Sequence, residues 1–154
     1  MRYTPAQALE ITKISRETLR YWRNVLPPLQ GKKGKSARYS AGDLLALLII
    51  NEIVSVFEMN IAVIASVAQQ IFTTCQGVRW HQISDKQLVI DIKGANVSIV
   101  PPTDSPYSSN GMLIIINIDF WQQKLRDLLV TDEAIQFTLP FNPLLVKNKI
   151  KAAS

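Results

Sequence analysis

The sequence predicts an α+β fold with the helices first: a helical domain over residues 1–74, then a small domain over 75–154 built from a three-stranded sheet and one helix. Two observations predict it. Up to residue 72 the apolar residues recur at three- and four-residue spacing behind cap signals, which is the helical period. Between 87 and 118 they fall in three short runs separated by Gly, Pro, Ser and Asn, which is the pattern of strands. A third observation, of charge, bears on function. Residues 1–39 carry nine Lys/Arg against two Asp/Glu, residues 40–74 none against three, and residues 75–154 eight against seven. The net charge of +5 therefore originates in the N-terminal quarter, an electrostatic footprint aimed at a polyanion.

Each element has a local reason. Thr4 then Pro5 is N-cap and N1 of a first helix, because proline there loses no needed hydrogen bond. That helix ends near 11–13, with Ala6, Leu9 and Ala8 as its inner face. Ile14 plugs the corner and Ser15 caps a second helix. On it Leu19, Trp22 and Leu26 form an apolar face, while Arg16, Arg20 and Arg23 form a basic one. Pro27-Pro28 stops the helix. Two short helices joined by so tight a turn are a helix-turn-helix. Residues 29–39 read as a β-hairpin wing around GKKGK, with arms at 29–30 and 37–39.

Ser40 and Asp43 then form a capping box for a third helix over about 41–57, apolar almost all round and therefore central. Asn60 caps a fourth over 61 to about 72. On it Ile61, Ile64, Ala68, Ile71 and Phe72 share a face, with Val63 and Val67 set apart. Gln87–Lys93 and Val97–Val100 are strands around a Gly94-Ala95-Asn96 turn. Residues 101–111 are a loop. Met112–Ile118, apolar on both faces, is expected to be the central strand. Asp119 is expected to cap a last helix from Phe120 to about Val130, with Phe120, Leu125, Leu128 and Leu129 inward. A basic tail follows, with Lys147, Lys149 and Lys151.

Residues 3 to about 66 resemble the DNA-binding domain of the MerR family, a winged helix-turn-helix. The resemblance rests on Tyr3-Thr4 before the first helix and on Ile14 to Tyr21 (ISRETLRY) as the recognition helix. It is carried further by Leu26-Pro27-Pro28, the lysine-rich wing, Ala37-Arg38-Tyr39-Ser40 leading into Asp43-Leu44, and Ile61–Ile64. Three features depart from the pattern. Trp22 stands where the family more often has a second tyrosine, Val25 replaces the usual glycine, and the family's long coiled-coil dimerisation helix does not follow.

A helix with an arginine face beside a lysine-tipped loop is a two-point grip on duplex DNA. Ser15, Arg16, Glu17 and Thr18 would reach base edges in the major groove, Arg16 as a bidentate partner of guanine at about 1–3 kcal/mol of discrimination. Arg20, Tyr21 and Arg23 would hold phosphates. Lys32, Lys33, Lys35 and Arg38 would place the wing on the flanking backbone or minor groove, and Tyr39 is counted among the DNA-binding residues. Thr4, with the first amides of its helix, would hold one phosphate more. Six such contacts imply an affinity falling about 10³-fold or more between 50 and 200 mM salt. The expected function is a sequence-specific transcriptional regulator. An excisionase-like architectural factor and a protein-interaction adaptor are the alternatives.

Catalytic readings find little support. His81 has no metal-ligand spacing around it, Cys75 has no base, and GKKGK lacks the length of a phosphate loop. Neither an enzyme nor a cofactor is implied. A single cysteine allows no internal disulfide and fits a reducing, cytoplasmic, nucleoid-associated setting. The N-terminus has no hydrophobic signal core, and no apolar run is long enough to cross a bilayer. The apolar excess of the C-terminal segment has two destinations, a core shared with the first half or a copy of itself. Because one short recognition helix buries limited surface on DNA, a homodimer is expected.

Overall fold

The computed structural model describes residues 1–80 and 85–138. The elements run β1 (Arg2–Tyr3), α1 (Pro5–Thr12), α2 (Arg16–Val25), a 3₁₀ turn (Pro27–Leu29), β2 (Tyr39–Ser40), α3 (Ala41–Phe57), α4 (Ile61–Gln76), β3 (Gln87–Asp91), β4 (Asn96–Val100), β5 (Ile114–Asn117) and α5 (Ile118–Thr138). His81, Leu139–Phe141 and the tail lysines lie outside the described residues.

α3 is the axis. Its box closes as its sequence requires: Asp43 N donates to Ser40 Oγ at 3.1 Å and Ser40 N to Asp43 Oδ2 at 2.8 Å. Residues 44–50 are all buried. α4 and α5 pack on it, and α1 packs on both α3 and α5. α3 meets α4 closely at Gly42, where a Cβ would lie 2.6 Å from the Gln76 Cα. Only glycine permits that approach. One hydrophobic cluster holds Leu19 and Trp22 of α2, all of the α3 seam, Leu88 and Ile90 of β3, and Leu125 of α5. The two halves thus share a core. Among the described residues no helix is long and apolar enough to cross a membrane, and no cluster of His, Cys, Asp and Glu could hold a metal.

Several expectations change. In α1 the central residue is Ala8, with Ile11 and Thr12, while Ala6 faces solvent. Lys13, at φ 57°, supplies the left-handed turn after α1 that a glycine often makes. The 29–39 hairpin does not form. Leu29 ends a 3₁₀ turn, and Tyr39 pairs instead with Tyr3, and Ser40 with Arg2. α4 continues through the Thr73-Thr74-Cys75 stretch because Cys75 is an inward residue of its last turn. Val67 is buried as a second contact, but Val63 is exposed.

The second sheet is antiparallel with order β4-β3-β5. Its centre is therefore β3, and the Met112–Ile118 run supplies an edge strand. Ile114 and Ile116 turn towards the core while Ile115 stays exposed. α5 begins two residues earlier than expected, because Asn117 Oδ1 accepts from Phe120 N at 3.1 Å and so makes the cap. Asp119 instead accepts the Lys86 N–H at 3.1 Å. Leu125 is buried and Leu128 and Leu129 are half-buried, but Phe120 points outward. Asp91 holds the turn and the long loop together, accepting from Gly94 N, Ser108 Oγ and Asn110 Nδ2. Those bonds keep its carboxyl below the ordinary range.

Candidate nucleic-acid interface

α2 is fixed from behind and open in front. Leu19, Trp22 and Leu26 are buried, and truncating a buried Trp to Ala costs about 3–5 kcal/mol, so the helix orientation is firmly set. Ser15 caps it, accepting from Thr18 N at 3.0 Å and donating to Thr18 Oγ1 at 2.8 Å. Arg16, Glu17, Arg20 and Tyr21 are exposed.

An open groove of about 570 Å³ runs between the start of α1, the front of α2 and the tip of the following loop. Thr4, Arg16, Arg20, Arg23 and Lys35 line it, over a floor that includes Leu9 and Leu19. Four cations from two segments thus converge on one concavity, and no carboxylate lines it. Thr4 is committed to a capping box with Gln7, donating its hydroxyl to Gln7 Oε1 at 3.1 Å while Gln7 N donates to Thr4 Oγ1 at 3.3 Å. Its hydroxyl is structural, and what its helix end can offer an anion is backbone N–H.

The loop after α2 differs from its sequence reading. Tyr39 is fully buried, with its hydroxyl accepting from Arg23 Nε at 3.2 Å and Nη2 at 3.0 Å. It belongs to the core and cannot touch DNA. Its pairing with Tyr3 in β1 carries the ring inward. Lys32 also turns in. Its ammonium lies 3.1 Å from Asp43 Oδ2, donates to Arg38 O at 2.8 Å, and sits 5.4 Å from the centre of the Tyr39 ring. Arg38 folds onto its own loop, donating to the carbonyls of Lys35 and Ala37. Lys33 and Lys35 remain exposed.

Asp43 is the group that sequence reading underestimated. Burial pushes its carboxyl up, but the Ser40 N–H, the Gln76 amide at 2.8 Å and the Lys32 ammonium together outweigh that and hold it below its ordinary value. Beside it the Cys75 thiol is pushed up to about 12, first by burial and then by the Asp43 charge. A thiol so protonated is no nucleophile.

The family model described as MerR HTH family regulatory protein matches residues 3–71. Over these residues the chain is similar to the MerR-family helix-turn-helix domain. The match takes in β1 through most of α4, somewhat under half of the chain, and it supports the coarse reading of a DNA-binding transcription regulator. No curated protein matches the chain. The basic groove lies entirely inside the MerR-like domain, while β3, β4, β5 and α5 lie outside the match.

Proposed function

We propose that this protein is a sequence-specific DNA-binding transcriptional regulator that sets the front of α2 into the major groove. The observation that carries the reading is the convergence of Arg16, Arg20, Arg23 and Lys35 on one open concavity beside a helix N-terminus. Arg16, in the exposed first turn, is the residue placed to read a base edge, and a bidentate arginine–guanine pair contributes about 1–3 kcal/mol of discrimination. Glu17 and the paired Ser15 and Thr18 hydroxyls flank it. Arg20 and Tyr21 follow along the phosphate rail, and Lys33 and Lys35 extend the grip to the flanking backbone. Arg23 reaches the groove with its position fixed by Tyr39. The Ala6 N–H, without a partner among the described residues, offers a phosphate the positive end of α1.

The test is selection of bound duplexes from a random pool, then fluorescence anisotropy on the selected site at two salt concentrations. Arg16→Ala with Arg20→Ala should lower affinity about 100-fold or more and leave the melting temperature unchanged. Arg16→Lys should keep affinity for unrelated DNA and relax the preference at one base position. If the double variant binds like the wild type, α2 is not the reading helix. If the pool yields no preferred sequence but a coated, bent array, the architectural alternative replaces regulation.

A further inference from the structure

The groove between α1, the front of α2 and the loop tip holds more than a DNA phosphate calls for. Between its cations the lining is apolar, made by Pro5, Ala6, Leu9 and Leu19. A phosphodiester is held by hydrogen-bond donors and positive charge, and apolar walls offer it nothing. A cleft of roughly 300–1,000 Å³ with mostly apolar walls and a few placed polar groups is the form of a small-molecule site. This groove, at about 570 Å³, has that size and that make-up.

Charge decides which small molecule fits. Among the described residues the ion pair is Lys32 with Asp43, so no carboxylate neutralises the groove's Arg16, Arg20 and Lys35. Arg23 is held by the Tyr39 hydroxyl, a neutral acceptor, and keeps its charge uncompensated. A neutral apolar guest would strip water from these cations and give them no counter-charge. A bare inorganic anion would leave the apolar lining in water.

We infer that the groove is a binding site for a small organic anion with an apolar body, of the arylcarboxylate type. The body lies on Leu9 and Leu19, and the carboxylate accepts charge-assisted hydrogen bonds from the surrounding cations. Those cations are the ones proposed to hold the duplex. Anion and DNA therefore exclude each other, and the anion is a direct competitor that releases the protein from its site. The anion site stands on the groove itself, whereas the competition rests on the DNA reading.

NMR of the full chain without DNA tests the site, with 2-naphthoate as the probe. Acetate, a head without a body, and 2-naphthamide, a body without a charge, are the controls. Naphthoate should shift the backbone amides of residues 6–9 and 16–20, and its ring protons should show Overhauser contacts to the Leu9 and Leu19 methyl groups. Both controls should bind at least about 10-fold more weakly, and so should naphthoate to Leu9→Ser. If that variant does not fold, the Overhauser contacts in the wild type decide. With the selected duplex, naphthoate should raise the apparent Kd for DNA in proportion to its concentration, and acetate at equal ionic strength should not. Naphthoate that shifts nothing in the groove, binds no better than the controls, or binds a folded Leu9→Ser normally overturns the inference and leaves the DNA reading standing. Naphthoate and duplex bound together overturn the competition. A chain that takes naphthoate in the groove but binds no duplex bears out the site, and overturns the competition together with the DNA reading.

Discussion

Helix α2 and the loop after it carry the same kind of charge and turn it in opposite directions. Arg16 and Arg20 stand in solvent on a helix whose back is locked by Leu19 and Trp22. Lys32, on the loop, is drawn inward to Asp43, and Arg38 is bound to its own loop's carbonyls. On a helix, the periodicity that buries one face forces the other outward, so the arginines have no choice. A loop has no such constraint, and each cation goes to the best acceptor within reach. The lesson is that a basic run can be partly structural: α2 leaves its arginines in solvent, and Lys32 ties the loop to Asp43 beside them.

Asp43→Ala should break this division of labour most severely. It removes the acceptor for the Ser40 N–H and strands Lys32 and the Gln76 amide, at about 3 kcal/mol of stability, read from the urea midpoint. A loss under about 1 kcal/mol would mean that the buried charge gains little from its partners. The same contrast can be sharpened with acid. Because the folded carboxyl lies below its unfolded value of 3.8, its contribution is complete above about pH 4 and is lost as pH falls through the folded value. The stability gap between wild type and Asp43→Ala should therefore narrow on acidification, and a gap constant with pH would place the effect elsewhere.

Tyr39→Phe comes next. It deletes the acceptor that positions Arg23 and should cost about 1 kcal/mol of stability with a modest fall in DNA affinity. An equal fall in affinity and none in stability would return Tyr39 to the interface. The smallest effect belongs to Lys33→Gln and Lys35→Gln. Each should leave stability unchanged and reduce the salt slope of DNA binding by about 1, whereas Lys32→Gln should lower stability and leave the slope unaltered. Equal behaviour of all three lysines would erase the distinction between structural and ligand-facing cations.

What the sequence made legible was local. The Thr4, Ser15, Ser40 and Asn60 caps stand where the helices start, because a cap is decided by residues two or three apart. The α2 faces followed from spacing alone. What escaped was decided at a distance. Tyr39 looked like the end of a hairpin because its neighbours are turn residues, but its partner is Tyr3 at the other end of the domain. The Met112–Ile118 run looked central because it is apolar on both faces, a pattern shared by a strand between two others and by an edge strand bearing an exposed patch. Phe120 has inward spacing only if the helix starts at Asp119, whereas Asn117, the last residue of β5, makes the cap. The basic loop was read by charge alone, and charge alone does not reveal a buried carboxylate eleven residues on.

The central claim is that the α2 front, and not the loop's inner cations, meets the duplex. Nitrogen-15 NMR of the arginine side chains and backbone amides during titration with the selected duplex addresses it directly. The largest shifts are expected at the Arg16 and Arg20 Nε–H groups and at the amides of residues 15–18, smaller ones at Lys33 and Lys35, and little at Tyr39. Shifts concentrated on β5 or α5, with Arg16 and Arg20 unmoved, would contradict it.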